Sequence, residues 1–310
     1  MKKKMLVLGG SGMVGSSVAR LSKNLFNVIS PSRAELDLFD KIKVYEFFKK
    51  VKPFYVINCA AKAGGIYANL KFPAEFIYEN LLIQNNVISA CHDYRVKRLV
   101  FLGSSCIYPR DCKQPIKEKY LLTGPLEQSN EYYAIAKIAG LKMLEAFNKQ
   151  YGLDFISVMP TNIYGINDNF HLKNSHVIPA LIDKIYHAFI KKKNNIKLWG
   201  SGKALRDFLF VDDVARAILL LVNCYHKNEF VNIGSGKEIS IELLSQMIAK
   251  LIGYKGKIIF DQLHPDGTPR KILNISIIRS LGWKPEYSLN AGLKKTIEWY
   301  LLNRKQIKRK

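Results

Sequence analysis

The feature that most constrains this chain is a glycine run set between an apolar pentamer and an amphipathic segment. Lys4-Met5-Leu6-Val7-Leu8 reads as a buried strand, Gly9-Gly10-Ser11-Gly12-Met13-Val14-Gly15 stops it, and Ser16 to Leu25 has helical spacing. A strand–glycine–helix unit of this kind brings backbone N–H groups and a helix N-terminus to one point, where they can cradle a pyrophosphate. The first glycine permits the turn, the second the close approach of phosphate, and the third the packing of helix on strand. Two registers satisfy this, Gly9/Gly12/Gly15 and Gly10/Gly12/Gly15.

The alternation continues. Asn27 to Ser30, Val56 to Ala60, Leu99 to Leu102 and Phe155 to Met159 have strand character, with helical stretches around Lys43 to Lys50, Glu79 to Cys91 and Tyr133 to Tyr151. Strands alternating with helices predict an α/β fold built on a doubly wound parallel Rossmann sheet. After about residue 165 the pattern loosens into a smaller C-terminal α/β lobe. Asn167 to Ser175 and Lys255 to Lys271 read as loops, and Asp212 to Asn223 and Ile241 to Ile252 as helices. The expected division is 1–164 plus about 208–235 for the dinucleotide, and 165–207 plus 236–310 for the substrate.

Near the end of the second strand, Ser30-Pro31-Ser32-Arg33 offers no carboxylate to a ribose 2′-hydroxyl. Arg33, helped by Ser32, can pair with a 2′-phosphate, which favours NADPH over NADH. Asp37 falls where an adenine would end. Tyr133 and Lys137 stand four residues apart on one helix face, so the ammonium can make the phenol a usable acid near neutrality. Tyr132 has no such lysine. Ser104, just past the strand Leu99 to Leu102, lies where strand ends meet the ligand crevice and can polarise a carbonyl.

Glycine run, strand-end serine and YxxxK, in this order, resemble the extended short-chain dehydrogenase/reductase family. The likeness narrows through Ala60-Ala61-Lys62-Ala63-Gly64-Gly65-Ile66, Leu102 to Pro109, Pro160 to Gly165, Asn174 to Pro179 and Pro265 to Lys271. These motifs are similar to those of its branch that epimerises and reduces GDP-4-keto-6-deoxy-mannose. The resemblance implies that Tyr133 protonates the C4 oxygen during NADPH-dependent reduction, assisted by Lys137 and Ser104, to give GDP-L-fucose or a close relative. It implies inversion at C3 and C5 beforehand, with Cys106 and His176 as the base and acid pair. Outside the resemblance, Cys106 reads equally as core filler and His176 as a loop cap.

The likeness also implies cofactor contacts from Met13, Val14, Ala60, Leu102, Gly103, Ser105, Pro160, Asn162, Ile163 and His176. For the nucleotide-sugar it implies Lys184, Trp199, Arg206, Asp266 and Lys271. Lys184 replaces an expected arginine and Tyr67 a smaller apolar residue. A reductase confined to C4, acting on a related GDP-linked heptose, is the alternative.

Composition enters as a test of these readings. The 310 residues carry 48 Lys and Arg against 25 Asp and Glu, a formal charge of +23. That surplus suggests a polyanionic partner, and a basic nucleic-acid-binding protein on a relict Rossmann fold is the distant alternative. The cations are nevertheless spread along the chain, with runs only at Lys2 to Lys4, Lys191 to Lys193 and Arg304 to Lys310, and no nucleic-acid motif accompanies them. The five cysteines are scattered and form no metal-ligand pattern. A location in the cytoplasm is therefore expected, free of metal and with neither a specific nucleic acid nor a membrane as partner, and the resemblance implies a homodimer.

Overall fold

A computed structural model describes residues 2–171, 175–227, 229–263 and 268–307. The first half runs β1 (Lys4–Leu8), α1 (Met13–Ser22), β2 (Asn27–Ile29), α2 (Lys41–Val51), β3 (Tyr55–Asn58), α3 (Ile66–Lys71), α4 (Pro73–Asp93), β4 (Arg98–Leu102), α5 (Glu131–Tyr151) and β5 (Ile156–Pro160). There follow β6 (Asn162–Tyr164), α6 (Val177–Ile190), β7 (Asn195–Trp199), β8 (Leu205–Arg206), β9 (Phe208–Phe210), α7 (Val211–Cys224) and β10 (Val231–Ile233). The chain closes with β11 (Ile239–Ser240), α8 (Ile241–Ile252), β12 (Lys257–Asp261), β13 (Arg270–Lys271), α9 (Ser276–Ser280) and α10 (Leu289–Asn303).

Six strands form one wholly parallel sheet in the order β10-β5-β4-β3-β1-β2. This is the doubly wound Rossmann arrangement expected from the alternation. Its order reverses between β1 and β3, which opens a crevice at the strand ends. Alternate residues of β1 feed opposite cores: Met5 and Val7 pack on the side of α1 and α7, Leu6 and Leu8 on the side of α2, α4 and α5. Such two-faced burial requires the continuous apolar strands seen in the sequence. Each fully buried Leu, Ile or Val side chain contributes roughly 1.5–3 kcal/mol of transfer free energy.

Helix ends follow local chemistry. Asp40 caps α2 through the Lys43 N–H at 3.1 Å, Ser240 caps α8, and Gly152 and Gly253 close α5 and α8 in the left-handed region. The first helix starts at Met13, earlier than its Ser16 reading, because Gly12 is its N-cap and Gly15 lies in its first turn.

Three short sheets lie beyond the large one: β11-β8-β13, β12-β7 and β6-β9. The stretch Lys255 to Lys271, expected to be loop, contains β12 and β13. Lys257-Ile258-Ile259-Phe260-Asp261 pairs in parallel with β7 over its whole length, a partner 62 residues upstream at Asn195 that local pattern does not reveal.

The chain leaves the large sheet for the small ones after β5 and after β10, and steps from one small sheet to another between β8 and β9. Asp207, fully buried, joins all three passages. Its carbonyl accepts from Thr161 Oγ1 at 3.0 Å and Asn162 Nδ2 at 2.9 Å, and its carboxylate from the Ser235 N–H at 3.0 Å and hydroxyl at 2.5 Å.

Candidate active site

The glycine run supplies a cradle that side chains would fill. Gly9 has φ +75°, and a Cβ there would sit 2.7 Å from the Ala60 nitrogen; one on Gly15 would sit 2.2 Å from the Gly9 oxygen. Gly12 donates to the Gly9 carbonyl at 3.0 Å and is the N-cap of α1, with no side chain capping the helix. The N–H groups of the first turn, at Met13, Val14 and Gly15, are thereby left to an anion, beside the positive end of the helix dipole. These contacts select the register Gly9/Gly12/Gly15. Gly10 has a different reason to lack a side chain, since its Cβ would overlap the Ser30 hydroxyl.

The turn after β2 presents Arg33 to solvent, its guanidinium 5.2 Å over the Phe39 ring. Sequence reasoning missed the carboxylate beside it. Glu35 accepts from the Ser32 N–H at 2.7 Å while Ser32 Oγ accepts from the Glu35 N–H at 3.3 Å, a reciprocal box that holds the turn and keeps the Glu35 carboxyl below its usual range. Asp37 turns back onto the Phe39 N–H at 3.1 Å. Across the loop, Asn167 Nδ2 donates to the Ser11 carbonyl at 2.8 Å, so the segment after β6 latches onto the glycine turn. Next to it the buried Asp168 carboxyl is raised to about 7 by desolvation, and one of its oxygens has no partner among the described residues.

Tyr133 and Lys137 lie on the first turns of α5, facing the end of β4. The Lys137 ammonium is buried, donates to the Leu102 carbonyl at 2.9 Å, and lies 4.8 Å over the Phe101 ring and 5.8 Å over that of Tyr133. Burial lowers it to about 8. Burial pushes the Tyr133 phenol up, opposed by hydrogen bonding to Ser104, so the phenol is held protonated and ready to donate. A Cβ on Gly103 would meet the thioether end of Met159 of β5, so a side chain there would require that methionine to move. Ser105 is buried, and Asn162 spends its amide N–H on Asp207 rather than facing only the crevice. Pro160 ends β5, Ile163 lies in β6, and Ala60 accepts its place from Asn58, whose Oδ1 takes the Ala60 N–H at 3.1 Å.

Cys106 sits in a short 3₁₀ turn (Ser105–Ile107) that Ser104 caps through the Cys106 N–H at 3.2 Å. Two polar groups converge on its sulfur: Asn130 Nδ2 at 3.1 Å and Lys271 Nζ at 3.9 Å. Asn130 was legible in principle, three residues before Tyr133 at the start of the same helix. Lys271 reaches the thiol from β13, whose register pairs it with Arg206 of β8, so one cation of the expected substrate set also touches Cys106. His176 is the N-cap of α6, and desolvation lowers its imidazole below the ordinary range. Lys184 is exposed two turns further along α6, and Trp199, 69% exposed, ends β7. Asp266 and Asn174 lie outside the described residues.

Comparison with known proteins agrees with this arrangement. A family profile described as the NAD dependent epimerase/dehydratase family matches residues 5–234. A GDP-L-fucose synthase of Sinorhizobium fredii is 50% identical over 302 residues, covering 97% of this chain and 96% of that one. A GDP-L-fucose synthetase from Naegleria fowleri bound to NADP superposes with a TM-score of 0.91 at 31% identity, covering 99% and 95% of the two chains. A GDP-6-OMe-4-keto-L-xylo-heptose reductase from C. jejuni superposes with a TM-score of 0.91 at 34% identity, covering 97% and 98%.

Proposed function

The chain belongs to the NAD dependent epimerase/dehydratase family, and from that premise we propose that it is an NADPH-dependent epimerase-reductase of a GDP-linked 4-keto-6-deoxy sugar, yielding GDP-L-fucose. The observation that carries this reading is the convergence of two chemistries at one strand end: Tyr133 and Lys137 beside Ser104, and a thiol two residues later held by Asn130 and Lys271. Similarity to GDP-L-fucose synthases over nearly the whole chain supports the substrate.

The glycine cradle, the open α1 N-terminus and Arg33 fit a dinucleotide bearing a 2′-phosphate; when bound, NADPH supplies the hydride for C4. The remaining work falls to the chain's own groups. Tyr133 donates its phenolic proton to the C4 oxygen, and the Lys137 ammonium, desolvated and close to the ring, stabilises the phenolate left behind. Ser104 hydrogen-bonds the same oxygen. For epimerisation the C4 ketone acidifies the neighbouring C–H bonds. Cys106, with the Lys271 ammonium 3.9 Å from its sulfur, removes such a proton, and His176 returns one to the opposite face. Arg206 and Lys184 would serve the diphosphate, and Trp199 offers an aromatic platform to base or sugar.

The dinucleotide is assigned to residues 1–164 and about 208–235, the sugar nucleotide to the rest. Homodimerisation through α4 and α5 is supported by exposed Tyr78, Tyr132, Ile135 and Tyr151 on these helices. Five free cysteines suit a reducing cytoplasm.

The test is isotopic. In heavy water without NADPH, the chain should exchange deuterium into C3 and C5 of GDP-4-keto-6-deoxy-mannose; Cys106→Ser should slow this about 100-fold or more. Tyr133→Phe should reduce NADPH-dependent turnover by a similar factor while NADPH binding stays within about twofold. Turnover without exchange would favour a reductase confined to C4, the reading supported by likeness to the heptose reductase; unaltered turnover in Tyr133→Phe would remove the assigned acid.

A further inference from the structure

Three helices of the C-terminal half end at one place, far from the cleft. Helices α6 and α10 run side by side: Tyr300 donates to Asp183 at 2.7 Å, and one turn on the Arg304 guanidinium lies 5.0 Å over the Tyr186 ring. Helix α8 meets them there. A Cβ on its C-cap Gly253 would sit 3.7 Å from the Phe189 ring, and the Lys257 N–H donates to the Asn194 carbonyl at 2.8 Å, tying the start of β12 to the connection after α6.

This end is cationic without compensation. Residues 186–197, 246–258 and 300–307 together hold nine Lys or Arg and no Asp or Glu. None of the lysines among them forms an ion pair among the described residues. A helix C-terminus gains from a cation or two, but further like charges at close range repel one another. Exposed apolar side chains stand among them: Leu302 is 83% exposed, Ile190 49% and Phe189 44%. At the same spot a cavity of about 480 Å³ is lined by Gln246, Lys250, Tyr254 and Lys255, and the buried Tyr254 hydroxyl has no hydrogen-bond partner among the described residues.

We propose that this end of the molecule docks on an anionic phospholipid bilayer, with the lysines on lipid phosphates and Phe189, Ile190 and Leu302 at the acyl boundary. Charge alone would suit any polyanion. The interleaved apolar side chains single out a surface with both a phosphate layer and an apolar layer, which a nucleic-acid backbone lacks. The cavity, lined by Lys250 and Lys255, is a seat for one headgroup. No helix among the described residues is long and apolar enough to cross a membrane, so the association is peripheral, and it replaces the expectation of no membrane partner. Helix α6 carries His176 at its other end, and 14 residues at 1.5 Å each put the docked face about 21 Å from the cleft, leaving the cleft open.

Co-sedimentation of the full chain with vesicles of phosphatidylcholine, alone or mixed with phosphatidylglycerol, tests this. Binding is expected only to the mixed vesicles. The triple change Lys191→Glu/Lys192→Glu/Lys193→Glu, and separately Ile190→Ser with Leu302→Ser, should each weaken it about tenfold or more. Reversal of three exposed lysines elsewhere, Lys23, Lys49 and Lys50, should change it less than about twofold, with unfolding midpoints of all variants unchanged. Equal binding to neutral vesicles, no binding, or an equal loss in the control triple would overturn the proposal. So would oligonucleotide binding that matches vesicle binding in strength and ignores the Ile190/Leu302 change.

Discussion

Asp168 is a carboxyl kept out of water beside the glycine turn, and its raised value of about 7 carries a stability cost with a definite sign. The folded chain holds this proton more tightly than the unfolded one, so the stabilisation is complete at low pH and is lost as pH climbs from about 4 through about 7. Asp168→Asn keeps the shape and cannot ionise. At pH 8 it should unfold later than the parent, with a gain of about 1–3 kcal/mol that vanishes near pH 4, followed by thermal melts across pH. At this scale the sequence is partly transparent. Tyr133, Lys137 and Ser104 announce themselves by spacing and strand-end position, and Asn130 sits one turn from Tyr133. Lys271 does not, because its approach to Cys106 spans 165 residues and depends on the pairing of β13 with β8.

Between helices the decisive contact is a missing side chain. Gly140 of α5 lies where a Cβ would meet the Phe101 ring at 2.6 Å and the Gln84 amide at 2.7 Å, while Gln84 Nε2 bonds the Ala136 carbonyl at 2.8 Å. This lets α5 press on β4 and α4 and carry Lys137 to the Leu102 carbonyl. Gly140→Leu should destabilise the fold by about 2–4 kcal/mol in denaturant titration and depress turnover more than NADPH binding, because Lys137 is one turn away. β1, β3, β4 and β5 of the large sheet were readable because strands buried on both faces need unbroken apolar runs, whereas the three-residue β10, with Asn232 between Val231 and Ile233, was not read. β12 was not, since an edge strand of alternating exposure, Lys257 to Asp261, looks locally like the polar loops around it.

For the molecule as a whole, charge and apolar surface are distributed by role. A dimer formed through the exposed aromatic and aliphatic groups of α4 and α5 would carry two cationic ends. Ile135→Glu with Tyr151→Glu should shift the protein to monomers in sedimentation velocity at micromolar concentration; a persistent dimer would place the interface elsewhere. Of the 48 basic residues set against 25 acidic ones, nine are concentrated at the cationic end and the rest are spread along the chain.

Asp207 has a mechanical consequence. A lobe tethered by one strand can swing like a door, whereas one strapped at three connections to the carbonyl and carboxylate of a single buried residue has lost that rotation. Ligand traffic must then be served by loops flexing at the rim while the frame stays rigid. The spacing between the glycine cradle and the turn that carries Cys106 is thereby built into the frame.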